Sequence, residues 1–410
     1  MDPPYPGLLH VRKIDLANFQ VATSETARDI NRRIVLNLIR KHQPVSRADL
    51  SRRSGLQRST VSSITEQLIQ ERWITEGATG HLPRGRKPTF LHLNGGRAGI
   101  IGIDLRPLST TIALGGLDNQ FLTQETFATD RDPQKFTAEL CGRLHELMAS
   151  QPDIHYEGIG VALPGRVDSH TQRLLFAPNL GWRDVDMKTP LELATGLPVE
   201  VENDANVCAL GELWSAQYAE EMNDMLAVAV TEGVGVGMVI NRQLVRGPNG
   251  IAGEFGHVVF DENGPPCNCG NKGCWEVFAS NSAAVRFYQD STPRSAVPKS
   301  ILPSPTFDDI LQLEKRGDRL AGAALDRMAR HLGAGIAMLV MGIAPEVVMI
   351  FGEVTEAWHR VGPIVDRIVK ERIPMSSKTK VLPTNASELP RLHGTISLVL
   401  QKHFGAPAIA

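Results

Sequence analysis

Between Gly253 and Glu276 the chain reads Gly-Glu-Phe-Gly-His257 and then Cys267-Asn-Cys269-Gly-Asn-Lys-Gly-Cys274-Trp-Glu276. A C-x-C-x4-C knuckle with a histidine upstream supplies the four soft ligands of a closed tetrahedral zinc site. Gly264, Pro265, Pro266, Gly270 and Gly273 let the loop fold back until the four converge. Zinc alone does not account for the flanking acids, Glu254 and Glu276. They place two carboxylates beside a histidine that has one ring nitrogen to spare, so the metal site is expected to border a pocket. Two alternatives are a disulfide between two of the cysteines, or three unpaired thiols. Only Cys141 and Cys208 occur elsewhere, an odd total, and the N-terminus has no charged start followed by an apolar core of the secretory type. A cytoplasmic, reducing setting is therefore expected, where clustered cysteines serve more often as metal ligands than as bridges.

A chain of 410 residues is long enough for two or three domains. Its near-neutral net charge conceals an asymmetry. Residues 1–95 carry 15 Lys and Arg against 8 Asp and Glu, while the remainder carries 28 against 37. A basic head on an acidic body suggests an anionic partner for the head, nucleic acid before membrane. Leu332–Gly352 is apolar enough to resemble a membrane span, but Pro345 and Glu346 split it into pieces too short for a bilayer of about 30 Å. The first piece reads as a buried helix and Val347–Phe351 as a buried strand. No membrane insertion is expected.

The head reads as three helices. Ile30, Ile34 and Leu38 recur at helical spacing, and Pro44 follows. Ser46 is an N-cap for a short helix, Arg47–Arg53, which Gly55 ends. A third helix, Arg58 to about Glu71, buries Val61, Ile64 and Leu68. With Gln57 just before it, this helix shows Arg58, Ser59, Thr60, Ser62 and Ser63 at its start. Two helices joined by a glycine-containing turn form a helix-turn-helix, whose second helix presents its N-terminal residues to base edges in the major groove. Arg58 suits a bidentate contact to guanine, whereas Arg47, Arg52 and Arg53 suit phosphates or a solvated surface. The stretch from Trp73 to Leu93 is a hairpin pattern with Arg84-Gly-Arg86-Lys87 at its tip. Such a basic wing fits the negative potential of a narrow minor groove. The competing reading is a solvated loop in a helical protein-interaction module. Residues 25–95 are assigned to this winged helix-turn-helix, and residues 1–24, with Pro3, Pro4 and Pro6, to a flexible arm.

After Asn94-Gly95-Gly96 strands alternate with helices: Ile100–Asp104, Thr110–Leu114, a helix near 133–149, then Gly158–Leu163 before Pro164-Gly165. This is the grammar of an α/β fold. Four pieces carry a family resemblance: Ala162-Leu-Pro-Gly165, Glu202-Asn203-Asp204-Ala205-Asn206, Gly253-Glu-Phe-Gly-His257 and the Cys267–Glu276 knuckle. The chain resembles the ROK family of sugar-responsive repressors and sugar kinases, and its head with the Arg84–Pro88 wing resembles the repressor branch. The resemblance implies an actin-like, ribonuclease-H-like body in two α/β domains. The smaller would take residues 96–204 plus 388–410. The larger, residues 205–387, would hold the zinc knuckle and the dimerisation surface.

The resemblance further implies that Asp204 is the base toward a sugar hydroxyl in family kinases. Glu254, His257 and Glu276 would hold other hydroxyls, with Asn203 beside them and Asn179 a weaker candidate; His257 would also meet zinc. Carboxylates suit this task, since each accepts short hydrogen bonds from hydroxyls at fixed spacing. Asp204 could instead simply cap a helix over Ala205–Ser215.

Three phosphate loops depart from the family's kinase pattern. Where Asp-x-Gly-Gly-Thr is expected the chain has Asp104-Leu-Arg106-Pro107-Leu108, which adds bulk and removes an N–H donor. Where Gly-Thr-Gly is expected it has Thr231-Glu232-Gly233, continuing to Gly235 and Gly237. A late Gly-Gly pair is replaced by Gly352-Glu353. Phosphoryl transfer depends on such positioning. The expectation is therefore a non-catalytic regulator, in repressor mode, binding operator DNA and sensing a sugar or sugar phosphate. The alternative is an ATP-dependent sugar kinase with a regulatory head, in which Asp204 would be the catalytic base. Expected partners are double-stranded operator DNA, the sugar effector, a second copy in a homodimer or homotetramer, and a sugar-transport protein.

Overall fold

A computed structural model describes residues 23–79, 89–96, 98–117, 120–214, 222–292, 305–373, 378–385 and 389–405. The expected N-terminal arm up to residue 22 lies outside the described residues, as do the wing positions Arg84, Arg86 and Lys87. Contacts divide the chain into two units, residues 1–94 with 400–410 and residues 95–399.

The first unit contains α1 (Ser24–His42), β1 (Val45–Ser46), α2 (Arg47–Ser54), α3 (Arg58–Gln70), β2 (Ile74–Thr79) and β3 (Thr89–Leu93). Each boundary has a local cause. Thr23 and Ser46 both form reciprocal capping boxes, the latter with Asp49, and Gly55 ends α2 in the left-handed conformation at φ 72°. The strands form a sheet in the order β1-β3-β2, with Val45 opposite Leu91 and Ile74 opposite Leu93. Val61, Ile64 and Leu68 of α3 are buried as their spacing predicts. In α1 the buried residues are Val35, Leu36 and Ile39, whereas Ile34 is 40% exposed. The Ile30–Ile34–Leu38 stripe lies beside the true core face, because α2, α3 and β3 all press on the adjacent side of a broad apolar arc.

The end of the chain belongs to this unit by contacts, although the sequence reading places residues 388–410 with the body. Trp73 packs on the rings of His403 and Phe404, with centroids 4.5 and 6.0 Å away. Arg33 and Asn37 each donate a 2.8 Å hydrogen bond to a terminal carbonyl, of Gly405 and Phe404 respectively.

The second unit holds two five-stranded sheets of one topology and a small three-stranded sheet. The first lobe has β4 (Gly99–Leu105), β5 (Ser109–Gly115), β6 (Phe121–Ala128), α4 (Pro133–Ser150), β7 (Tyr156–Leu163), β8 (Arg166–Val167), β9 (Leu174–Ala177), β10 (Trp182–Val185), α5 (Lys188–Thr195) and β11 (Val199–Asn203). The second lobe has α6 (Asp204–Trp214), β12 (Met225–Val230), β13 (Val234–Ile240), β14 (Gln243–Leu244), α7 (Glu276–Ala279), α8 (Asn281–Ser291), α9 (Phe307–Lys315), α10 (Arg319–Ile343), β15 (Val347–Phe351), α11 (Trp358–Arg372) and β16 (Lys380–Pro383). The last helix, α12 (Pro390–Phe404), begins in this unit.

The small sheet runs β10-β9-β8; the two larger ones run β11-β7-β4-β5-β6 and β14-β13-β12-β15-β16. In each, a first strand pairs antiparallel with the second and parallel with a later strand, β4 with β5 and β7, and β12 with β13 and β15. This duplicated α/β sheet is the ribonuclease-H-like architecture that the resemblance implied. Central strands buried on both faces require continuous apolar runs, and β4, β12 and β15 are buried at every position. The apolar Leu332–Ile343 segment forms the second half of α10, packed on α11 and α8. No described helix is long and apolar enough to cross a membrane.

Candidate functional site

The knuckle is built by backbone hydrogen bonds before any side chain is considered. Cys267 N–H donates to Asn271 O at 2.8 Å, Gly273 N–H to Pro265 O at 2.8 Å, and Val259 bridges Cys274. Gly273 has φ 63°, and a Cβ there would lie 1.6 Å from Asp261 O, so only glycine permits the turn. The fold brings His257 and the three cysteines together, with ligand atoms within 4.8 Å of one another. Cys269 Sγ lies 3.7 Å from Cys274 Sγ, and His257 Nδ1 3.6 Å from Cys267 Sγ. A tetrahedron with bonds of ~2.3 Å has edges of about 3.8 Å, so small side-chain shifts, including release of Cys267 Sγ from Glu276, would complete the donor set for a thiophilic cation. The same separation far exceeds the ~2.05 Å of a disulfide, and all five cysteines are free thiols. Burial pushes the Cys267 thiol well up, helped by its 2.8 Å hydrogen bond to Glu276 Oε1, and burial pushes Cys274 up to about 11. A bound cation reverses both tendencies by stabilising the thiolates.

His257 joins this cluster to the carboxylates. Its Nδ1 faces the sulfurs and lies 3.5 Å from Glu276 Oε1, while Nε2 lies 3.7 Å from Glu254 Oε2. Burial raises the Glu254 carboxyl above its ordinary value, opposed by His257 and Arg166 and assisted by the charges of Asp204 and Glu276. Four of the expected sugar residues thus share one electrostatic neighbourhood.

Asn203 completes the set from the end of β11. Its Oδ1 accepts from the N–H groups of Ala205 and Asn206 at 2.9 and 3.1 Å, and its Nδ2 donates to Gly165 O at 2.9 Å. Asn203 is therefore the main cap of α6. Asp204 contributes only Oδ1, 2.9 Å from Ala205 N, and turns Oδ2 toward Arg391 at 3.2 Å. Burial raises its carboxyl, with Arg391 as the main opposing influence. Glu202, itself buried, accepts from Asn203 N, Asn206 Nδ2 and Arg246 Nε and so anchors the whole Glu202–Asn206 segment.

The glycines beyond Glu232 also approach the carboxylate set closely. A Cβ on Gly233 would lie 2.6 Å from Glu276 Oε2 and 3.4 Å from Asn179 Nδ2, and one on Gly235 3.9 Å from Asp204 Oδ1. Gly237 packs against Ala205 O of α6. These glycines leave room at the carboxylates and let α6 approach β13. Asn179 joins the same rim through a 2.9 Å hydrogen bond from Asn268 Nδ2.

At the other two departures from the phosphate-loop pattern, side chains fill the space. Arg106 Nε lies 3.0 Å from Asp104 Oδ2, and Arg106 Nη1 2.6 Å from Glu353 Oε1. Glu353 Oε2 accepts from Asn281 Nδ2 at 3.0 Å.

In the first unit, α3 presents Gln57, Arg58, Ser59 and Ser63 to solvent, with Thr60 and Ser62 half-buried. Gln57 makes no capping hydrogen bond. Arg47 is engaged internally, donating through Nε to Thr65 Oγ1 at 3.0 Å and pairing through Nη1 with Glu76 at 2.8 Å.

Residues 100–402 match the sequence profile of the ROK family, and residues 28–75 that of the winged helix-turn-helix DNA-binding family. The chain belongs to the ROK family. The xylose repressor of Bacillus spizizenii is 30% identical over 390 residues, covering 94% of this chain and 98% of the relative. A solved ROK transcriptional regulator, a homologue of the Escherichia coli MLC protein, superposes with a TM-score of 0.76 at 26% identity, covering 92% of this chain and 98% of that one. A ROK glucokinase from Streptomyces griseus, solved with glucose and AMPPNP, gives a TM-score of 0.65 at 28% identity, covering 74% and 99%.

Within this ROK body, sequence reasoning missed the residues that hold the motif residues in place. Arg391, at the start of α12, carries no local signature, and its partners Asp104 and Asp204 lie on other elements. Arg246, paired with buried Glu202, was missed for the same reason. Arg166 directly follows the Pro-Gly motif, and its Nε is buried without a partner.

Proposed function

We propose that this ROK protein is a sugar-responsive transcriptional repressor. The winged head binds operator DNA, and a sugar or sugar phosphate entering the body alters that occupancy. In this reading Asn203, Asp204, Glu254, His257 and Glu276 hold the hydroxyls. A charge-assisted hydrogen bond contributes about 1.5–3 kcal/mol, so a hydroxyl missing from such a set is penalised strongly. Zinc, held by His257 Nδ1 and the thiolates of Cys267, Cys269 and Cys274, would supply a rigid cross-link under this set. Sugar binding favours one closure of the body and shifts the population toward it. Gln57, Arg58, Ser59, Thr60, Ser62 and Ser63 read the major groove, the wing residues Arg84, Arg86 and Lys87 the minor groove. Operator recognition by a homodimer across two half-sites completes the reading.

The observation that carries this reading is a complete carboxylate set beside a phosphate region filled by Arg106 and Glu353. A kinase needs backbone donors free to receive the transferring phosphoryl group. Here two charged side chains satisfy each other in that place. Xylose is the first effector to try, given the name of the relative, and glucose the second, given the sugar in the solved kinase.

The test is operator binding by fluorescence anisotropy, with and without a panel of aldoses and their phosphates, on zinc-loaded protein. At least one sugar should weaken operator binding tenfold or more, with no transfer of label from ATP to any sugar. Zinc-dependent turnover with ATP would establish the kinase alternative instead.

A further inference from the structure

The pairs around Arg106 are part of a longer chain of charges. From the second lobe, Asn281 of α8 donates to Glu353, which follows β15; Glu353 pairs with Arg106, and Arg106 with Asp104 at the end of β4. Asp104 Oδ1 lies 2.8 Å from Arg391 Nε, and Arg391 Nη2 lies 3.2 Å from Asp204 Oδ2. Arg391 also donates to Leu105 O at 3.3 Å. The chain therefore starts in one lobe, passes through the other, and ends on Asp204. Its inner members are deeply placed: the side chains of Asp104 and Arg391 are each 7% exposed, against 33% for Arg106 and 29% for Glu353. Three acids, Glu353, Asp104 and Asp204, share two guanidinium groups.

We propose that Arg391 is a positioning residue for the sugar pocket. It fixes Asp204 from behind, and the Asp104–Arg106–Glu353 pairs hold Arg391 to both lobes. In a buried chain of this kind each ion depends on the next, because removing one partner leaves another charge uncompensated. A side chain at the outer end therefore influences Asp204 without touching the sugar. Arg106 and Glu353, which obstruct phosphate binding, acquire a second role as the tie between lobes. This inference rests on the effector reading above for its binding readout, and it also has a readout independent of it.

The experiment uses full-length, zinc-loaded protein with the partly exposed outer residues altered: Glu353→Gln, Arg106→Gln, their double variant, and Arg106→Lys. Zinc content and operator affinity without sugar should match the wild type. Each Gln variant should weaken xylose or glucose binding by calorimetry about five- to tenfold. The double variant should be no weaker than the weaker single, because both substitutions open the same chain. Arg106→Lys, which keeps the charge, should stay within threefold of the wild type. Single variants within twofold of the wild type, or losses that multiply in the double variant, overturn the proposal. Should the wild type bind no sugar, the effector reading falls and melting temperatures decide the chain. A double-variant shift equal to the larger single shift supports it, and a shift equal to their sum overturns it.

Discussion

Gly233→Ala tests the carboxylate pocket with the smallest available perturbation, one methyl group. The added Cβ would lie 2.6 Å from Glu276 Oε2, roughly a full ångström inside van der Waals contact, and 3.4 Å from Asn179 Nδ2. No backbone atom stands that close, so the methyl is accommodated by moving the carboxylate. Glu276 opens α7 two residues after Cys274, so its backbone is held by the knuckle and its side chain takes up the shift. The carboxylate rotates and withdraws Oε2 from the pocket. Losing one charge-assisted hydrogen bond to a sugar hydroxyl costs about 1.5–3 kcal/mol, which is about ten- to a hundredfold in affinity. Stability should change little, since a glycine-to-alanine change at a permissible backbone also restricts the unfolded chain. Calorimetric titration with the effector sugar, metal analysis and operator binding form the assay. The expected pattern is weakened sugar binding with zinc content and sugar-free operator affinity preserved. Unchanged sugar affinity in a folded, zinc-loaded variant would show that Glu276 does not face the ligand, and the pocket would have to be placed elsewhere.

Three further outcomes are expected. Cys269→Ser should bring zinc from about one per chain to near zero and lower the melting temperature by several degrees, because metal binding is coupled to folding; full retention of zinc by mass spectrometry refutes the ligand set. Arg58→Ala should cost about 1–3 kcal/mol of discrimination at one base, whereas Arg47→Ala, already paired with Glu76 and Thr65, should leave the salt dependence of binding unchanged. A loss of about one unit of that slope for Arg47→Ala would make it a phosphate contact after all. The raised carboxyl of Asp204 gives a signed pH effect. Its stabilising contribution is complete below the unfolded value of about 3.9 and declines as pH rises through the folded value. Asp204→Asn, which does not titrate, should gain stability relative to the wild type from pH 4 toward neutrality, and a flat difference across that range contradicts the burial argument.

What could be read from the sequence was what one element dictates by itself. Ser46 and Gly55 bound α2 because a cap needs only its own few residues, and β4 and β15 announce themselves because burial on both faces demands an unbroken apolar run. The knuckle was legible for the same reason: the C-x-C-x4-C spacing and its glycines form a local structure. Legibility failed where a second element decides. Ile34 has the right spacing for a core residue, yet the packing of α2, α3 and β3 selects the neighbouring face of α1. Gly233 shows nothing in the sequence of its close approach to Glu276, which the fold alone sets. Arg391 has no signature at all, since an ion pair between distant elements leaves no periodicity and no spacing to detect.

The Asn203-Asp204 pair shows how two readings of one motif can both hold when neighbouring residues divide the work. As a lone candidate, Asp204 can be read as a ligand group or as a helix cap. Asn203 takes the capping task, accepting from the N–H groups of Ala205 and Asn206. That leaves Asp204 Oδ2 available to the Arg391 side of the pocket. An amide suits the cap because it brings no charge into the buried turn, and its Nδ2 can still reach Gly165 O of the Pro-Gly turn and Asp204 itself. Asn203→Ala should therefore resemble the loss of an N-cap, about 1 kcal/mol of stability, and should also loosen the Gly165–Asp204 geometry enough to weaken sugar binding. Asp204→Ala should abolish sugar binding with no cap-like loss of stability. If the two variants instead showed equal losses in both melting temperature and sugar affinity, the division of labour between them would be wrong, and Asp204 would have to be counted as a cap.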